Sequence, residues 1–476
     1  MFKYIARILE EFRGCFSRRT TFQWFVLAVI GLCIRTDYYG VTSIVRCLNL
    51  EGRCYAKLLH FFRSKGYSLE SLTKKWQSVV CGTESIFEYN GRKILIGDGV
   101  KQGKDARKMP GVKKQHQESE NATKAKYIFG HMFGCISVLA GNVNKLFAVP
   151  IQINIQDGVK DIHGWNSIIN EDSHCVQLIS HGVEAAKTFG KSYLLLDRYF
   201  LTVPVLKRLA ELISDDLNLL HIVTKAKSNC VGYLEDYPLY SGKGRPRKKG
   251  TKVVMKELFP KEELFKKATL RLYGQEQELS YYSIDLLWGN NHYQKLRFVL
   301  TVMNGAKSIL VTTDLTLSPI QVIELYGFRS KIEACFRELK QVIGAFTYRF
   351  WSNAMPRLRR YAKKDDVPII ETVESNRDKV LISDTLKAIE VYVFLSCIAI
   401  GIIQLVSLKF SSLISISDLE YQRTFSNEYT FSEANISQYL SRNIYAFCQQ
   451  NQHNLISKII LQYRKHIDFN RFDTAA

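Results

Sequence analysis

Acidic residues are in short supply along this chain. Asp and Glu together number 45 against 66 Lys and Arg in 476 residues, a net charge of +21. A surplus of that size favours a polyanionic partner, either nucleic acid or an anionic membrane surface. Paired cysteines are missing as well. The 11 cysteines are scattered from Cys15 to Cys448 with no C-x-x-C spacing. That argues against a zinc site and a disulfide framework, and leaves buried free thiols in a reducing cytoplasm. The first twenty residues, MFKYIARILEEFRGCFSRRT, have no clean apolar segment with a small-residue cleavage site, so no signal peptide is expected. No G-x-x-x-x-G-K-[ST] pattern occurs, which excludes a phosphate-cradling loop of that type. No internal repeat is present.

Apolar residues make up 46% of the chain, enough for a large core and more than one domain. Residues 1–85 read as a helical region. FQWFVLAVIGLCI has helical spacing, and VTSIVRCLNL and RCYAKLLHFFRSKG are short helical patterns joined at NLEG. That pairing permits a helix-turn-helix that binds DNA, with Arg53, Lys57, Arg63 and Lys65 as its cations. From residue 86 to 228 strands and helices follow one another. KILIGDG, KYIFGHMFGCISVLA, KLFAVPIQINIQ, SYLLLDRYF and LNLLHIVTKAK read as strands, and a helix ends at Gly190. This is the pattern of an α/β core with a mixed sheet. Residues 229–315 read as a β-rich insertion that carries the basic loop SGKGRPRKKGTKVVMK. Residues 316–410 return to the core, and 411–476 read as a helical C-terminal region. VYVFLSCIAIGIIQLVSL, Val391 to Leu408, is near the minimum length of a membrane span. Ser396, Gln404 and Ser407 interrupt it and Glu390 precedes it, so a buried core helix is the expectation.

Two Asp residues follow apolar strands: Asp98 after KILIG and Asp197 after SYLLL. The carboxyl edge of an open α/β sheet is where ligands bind. Two carboxylates converging there need a cation or a proton between them. A lone Asp at a strand end, by contrast, is an ordinary turn or cap residue. The helix YGFRSKIEACFRELK supplies a third acid. At about 100° per residue, Tyr326, Arg329, Glu333 and Lys340 share an arc of about 60°, with Arg337 close by. The apolar set Phe328, Ile332, Cys335, Phe336, Leu339, Val342 and Ile343 lies beside that stripe. Simple pairing of Glu333 with Arg329 or Arg337 at i±4 also accounts for the stripe.

The spacing Tyr326-x2-Arg329-x3-Glu333-x6-Lys340 resembles the Y-(2)-R-(3)-E-(6)-K signature of the insertion-sequence-4-like family of bacterial DDE transposases. LIGDG resembles that family's first-Asp strand and LLLDRYF its second-Asp region. The long gap from Asp197 to Glu333 fits the β-strand insertion that the family carries there. The resemblance spans residues 86–355. It implies an RNase H-like catalytic core in which Asp98, Asp197 and Glu333 hold two Mg²⁺ ions, with Mn²⁺ as a substitute. In-line attack on a DNA phosphodiester, first by water and then by a 3′-hydroxyl, would follow. No covalent protein intermediate is required, so Tyr326, Arg329, Lys340 and Arg337 are expected at the DNA backbone.

The same resemblance implies double-stranded DNA as partner, a homodimer at paired element ends, and action at the nucleoid of a prokaryotic cytoplasm. It also implies a base flipped out of the stack, for which Trp288 in DLLWGNNHY is the stacking candidate; otherwise that Trp is core. Lys243, Arg245, Arg247, Lys248 and Lys249 are expected to contact the DNA backbone or to form a solvated charge run. The run Gly99 to Lys114 is expected to be a DNA contact or a mobile loop. His131 and His163 lack ligand spacing and read as structural or surface residues. A nuclease without strand transfer and a non-catalytic DNA-binding derivative are the alternatives.

Overall fold

The computed structural model describes residues 1–117, 126–165, 172–236, 248–359, 369–415, 419 and 431–465. The N-terminal helices are α1 (Phe2–Glu10), α2 (Arg19–Ile34), α3 (Val41–Cys47), α4 (Cys54–Arg63) and α5 (Leu69–Cys81). Helix α2 is apolar on every side and buried nearly throughout, which marks a core helix rather than an amphipathic surface one. Strands β1 (Glu88–Tyr89), β2 (Arg92–Gly103), β3 (Lys113–His116), β4 (Tyr127–Asn142) and β5 (Lys145–Ile155) follow. Then come α6 (Lys160–Gly164), α7 (His174–Phe189), β6 (Ser192–Leu195), α8 (Val203–Leu212) and β7 (Leu220–Lys225). The next strands are β8 (Val231–Tyr233), β9 (Lys252–Val254), β10 (Lys266–Leu272), β11 (Gln275–Trp288), β12 (Gln294–Met303) and β13 (Ala306–Thr312). The chain continues through α9 (Pro319–Gly327), α10 (Lys331–Glu338) and α11 (Asn376–Phe410) to α12 (Glu433–Gln450) and α13 (Leu455–Tyr463).

The protein is α/β, and the 13 strands of the described residues form one mixed, mostly antiparallel sheet. Strand β4 pairs antiparallel with both β5 and β2. Strand β2 then runs parallel to β6, and β6 parallel to β7. Helices α7 and α8 make the connections that parallel strands need. Strand β13 pairs antiparallel with β7 and so extends the sheet through β12, β11, β8 and β9. A second apolar cluster, including Leu206, Met255, Leu286, Phe298 and Ile309, lies among these later strands.

Val391–Leu408 lies in α11. That helix passes the length and apolarity test for a membrane span, but 94% of its most apolar 18-residue stretch is buried inside the protein. It packs against β5, α2, α4 and α12. Its polar positions have protein partners: Glu390 accepts the Ile155 N–H at 3.2 Å, and Gln404 donates to Glu433 at 3.1 Å. The core-helix expectation holds. One continuous apolar cluster joins α1, α2 and the other N-terminal helices to the sheet, α11, α12 and α13.

The helix that carries Glu333 is less regular than the wheel assumes. Ser318 and Gln321 form a reciprocal capping box with Pro319 in the first turn, which fixes the start of α9. Phe328–Ser330 tighten to a 3₁₀ turn, α10 follows, and Leu339–Ile343 widen to a π turn. Gly344 then ends the element in the left-handed region at φ +65°. An added Cβ there would sit 2.5 Å from Tyr38 Cδ1 and 3.0 Å from Arg35 Nη2, so only glycine fits. Most of the predicted face is nonetheless buried: Ile332, Cys335, Phe336, Leu339 and Ile343 are buried, and Phe328 and Val342 are half-buried.

Candidate active site

The alternation of a strand settles where Asp98 points. Its neighbour Gly97 faces α7, where a Cβ would come within 2.8 Å of Leu196 and 3.0 Å of Leu178. Asp98 therefore faces the opposite side of the sheet, towards α10, which packs against β2 and β5. The sequence suggested that Asp98 closes its strand. Instead β2 runs on to Gly103, and Asp98 pairs with Cys135 in its middle. The extra length comes from pairing with the long β4, which the glycines and the one lysine of GVKQG do not advertise.

Asp197 lies just beyond β6, at the start of a 3₁₀ turn, as expected from the sequence. The register brings the two acids together. The last parallel pair between β2 and β6 is Ile96 with Leu195. Asp98 and Asp197 each lie two residues further on, hence at the same height and on the same face. The neighbouring strand β7 holds the Asp197 backbone: Thr224 Oγ1 donates to the Asp197 carbonyl at 2.9 Å, and Leu196 N–H to Val223 at 3.0 Å.

Arg329 joins the third acid to this pair. Its Nη2 donates to Asp98 Oδ2 at 2.6 Å and its Nη1 to Glu333 Oε1 at 2.5 Å. The Arg329 side chain is 15% exposed, Asp98 19% and Glu333 61%. Burial pushes the Asp98 carboxyl up to about 6, against the pull of Arg329 and of the Gly99 N–H; Asp197 and Glu333 push it higher. Burial alone would lower Arg329, but Asp98, Asp197, Tyr326 and Glu333 outweigh it and hold the guanidinium above its ordinary value. Burial also pushes the Tyr326 phenol up, with Arg329 opposing and Asp197 adding. That phenol stays protonated and is a poor nucleophile.

Three carboxylates are hard oxygen donors of the kind Mg²⁺ takes, and a guanidinium already stands among them as a cation. The donor set fits a divalent ion in charge and atom type. Asp98 and Glu333 are bound to different nitrogens of one guanidinium, and among the described residues no group of three His, Cys, Asp or Glu side chains is gathered closely enough to grip an ion. A cavity of about 740 Å³ between β5, α7 and α11 contains none of the three acids.

Of the remaining expected site residues, Lys340 and Arg337 are exposed on the same element, with Arg337 Nε 2.8 Å from Glu338. Trp288 is half-buried and packs on the second apolar cluster. Lys249 lies over the rings of Tyr233 at 4.4 Å and Tyr293 at 5.5 Å, and Lys248 is exposed beside it. Lys243, Arg245 and Arg247 lie outside the described residues. The run from Gly99 to Lys114 includes the end of β2 and the start of β3. Between them Lys104 donates to the Phe346 carbonyl at 2.6 Å and the Tyr348 carbonyl at 3.2 Å. His131 is buried between Tyr348 Oη at 2.6 Å and the Pro110 carbonyl at 2.8 Å, a structural role.

Two positioning groups escape a reading of the sequence. Arg35, 2% exposed, holds the far end of the Glu333 element: Nε donates to the Ile343 carbonyl at 3.0 Å and Nη2 to Gly344 at 2.9 Å. Arg297 holds the approach to it, forking onto Asp285 at 2.8 and 2.9 Å and donating to the Leu317 carbonyl at 2.5 Å. Comparison of the chain with protein-family models and with curated proteins finds no match to either.

Proposed function

We propose that this chain is a DNA transposase of the insertion-sequence-4-like DDE type, cutting the ends of its own element and joining them to target DNA. The observation that carries the reading is the bridging of Asp98 and Glu333 by the one guanidinium of Arg329, with Asp197 near enough to act on that guanidinium through its charge. The mixed sheet, three antiparallel strands continued by two parallel ones with helical connections, is compatible with an RNase H-like core. The net charge of +21 suits a DNA partner.

Two Mg²⁺ ions held by the three acids would stabilise the attacking and leaving oxygens of an in-line displacement at a phosphodiester. The chain's own part is to fix those acids and the DNA. Asp98 and Asp197 are set by the sheet, so their spacing is rigid. Glu333 is mostly exposed and rides on a separate element, so it is the adjustable ligand. Arg329, Arg337, Lys340, Lys248 and Lys249 would meet the DNA backbone, and Tyr326 would line it as a neutral phenol. A homodimer at paired ends, working at the nucleoid, belongs to the same reading.

The test is incubation of purified protein with duplex DNA bearing the element's ends and Mg²⁺. Cleavage followed by joining is expected, and Asp98→Ala, Asp197→Ala and Glu333→Ala should each abolish it. Cleavage that survives these changes would sink the assignment, and cleavage without joining would favour a nuclease. The engagement of Asp98 and Glu333 by Arg329 favours a second reading, a DNA-binding derivative without catalysis. Specific binding to the ends with no cleavage at any Mg²⁺ or Mn²⁺ concentration would identify it.

A further inference from the structure

Arg329 is more than a phosphate contact waiting for DNA. One guanidinium spans two of the three acids, 2.6 Å from Asp98 Oδ2 and 2.5 Å from Glu333 Oε1. Its own Nε is buried with no hydrogen-bond partner. A buried donor left without a partner is costly, so this seat is a compromise for the arginine. It remains there because carboxylates gathered without a cation repel one another, and the guanidinium is the cation at hand.

We propose that Arg329 is the built-in counter-ion of the acid cluster, and that it must give up Asp98 and Glu333 before a divalent cation can take them. The inference rests on the proposed two-metal reading and adds a coupling to it. The planar fork that grips two carboxylates matches a phosphodiester equally well. A DNA phosphate arriving beside the site offers the guanidinium another anion. Transfer of the fork to that phosphate frees both carboxylates for the ion. DNA binding and ion binding then strengthen each other, and by linkage the coupling is the same in both directions. The protein alone should hold its ions weakly, which would keep the nuclease activity low until an end is docked.

The experiment measures Mn²⁺ affinity by isothermal titration and by the loss of the free-Mn²⁺ paramagnetic signal, with no turnover needed. Wild type, Arg329→Gln and Arg329→Lys are compared with and without a short blunt-ended duplex, in Ca²⁺-free buffer. Arg329→Gln should bind Mn²⁺ about ten-fold or more tightly than wild type in the absence of DNA, a typical coupling size. DNA should raise the wild-type affinity by a similar factor and the variant's far less. Arg329→Lys keeps a charge but cannot span both acids, so it should fall between the two; it also serves if the glutamine variant folds poorly. Equal or weaker Mn²⁺ binding by both variants, with the wild type indifferent to DNA, would overturn the proposal. Asp98→Asn and Asp197→Asn separate this from failure of the site itself. If Mn²⁺ binding ignores those two changes, the acid cluster is no metal site. If binding needs them but ignores Arg329, only the counter-ion proposal falls.

Discussion

Arg35→Met should loosen the end of the Glu333 element without touching an acid. Arg35 lies at the end of α2, and its buried guanidinium bonds carbonyls and a phenol, with no carboxylate partner among the described residues. Its charge is balanced instead by the carbonyl end of the Glu333 element. Nε and Nη2 reach the Ile343 and Gly344 carbonyls at 3.0 and 2.9 Å, and Nη1 reaches the Gly40 carbonyl at 3.2 Å and Tyr392 Oη at 2.7 Å. Those carbonyls carry the partial negative charge of a helix terminus, which a cation stabilises. Methionine fills most of the volume but donates nothing. The loss combines charge-assisted bonds with carbonyls left buried and unpaired, partly offset by the arginine's own desolvation, and comes to about 3–5 kcal/mol. Amide hydrogen exchange is the direct assay. Protection of the Leu339–Ile343 amides should fall by about a hundred- to a few-thousand-fold at equal pH, since each 1.4 kcal/mol is a factor of ten. Arg35→Lys should recover less than half of that, because one ammonium cannot fan out to four acceptors. Unchanged protection in Arg35→Met would refute the claim that this arginine anchors the element.

Two further outcomes follow from the same region. The Asp98 carboxyl is raised from 3.8 to about 6, so its contribution to stability is complete below 3.8 and is lost as pH rises through about 6. Between pH 4 and pH 7, urea unfolding of wild type relative to Asp98→Asn should show a loss of about 3 kcal/mol at most, at 1.36 kcal/mol per pH unit; a gain would mean that Arg329 overrides burial. Gly344→Ala forces φ +65° on a residue with a Cβ and drives that atom to 2.5 Å from Tyr38. It should cost about 2 kcal/mol or more in the same assay, and a neutral result would show that the turn relaxes.

What could be read from the sequence, and what could not, divides along physical lines. Patterns internal to one element were legible. The polar interruptions of Val391–Leu408 marked a core helix, and the apolar spacing of the Glu333 helix gave most of its buried face. Patterns that depend on a partner element were not. Nothing in GVKQG says that β2 continues past Asp98, because the strand is extended by its pairing with β4. The wheel put Tyr326, Arg329, Glu333 and Lys340 on one stripe by assuming a constant 100° per residue. The 3₁₀ turn at Phe328–Ser330 and the π turn at Leu339–Ile343 break that assumption on both sides of Glu333. Arg329 and Glu333 still meet, since the i,i+4 spacing between them crosses only the junction into α10. Arg35 is the sharper case. Its acceptors on the Glu333 element are 308 and 309 residues away, so no periodicity could pair them. One signal was nevertheless present: the arginine immediately follows a helix that is apolar on every side, and a charge at the end of a fully buried helix must find its counter-charge inside the protein. The same reasoning applies to Arg329. The i,i+4 pairing with Glu333 and the metal-site reading of Glu333 looked like rivals in the sequence, yet in the structure the arginine that pairs with Glu333 also pairs with Asp98. Under the proposed reading Asp98 and Glu333 serve both cations in turn, and the exchange of one cation for the other is what the Mn²⁺ titration measures.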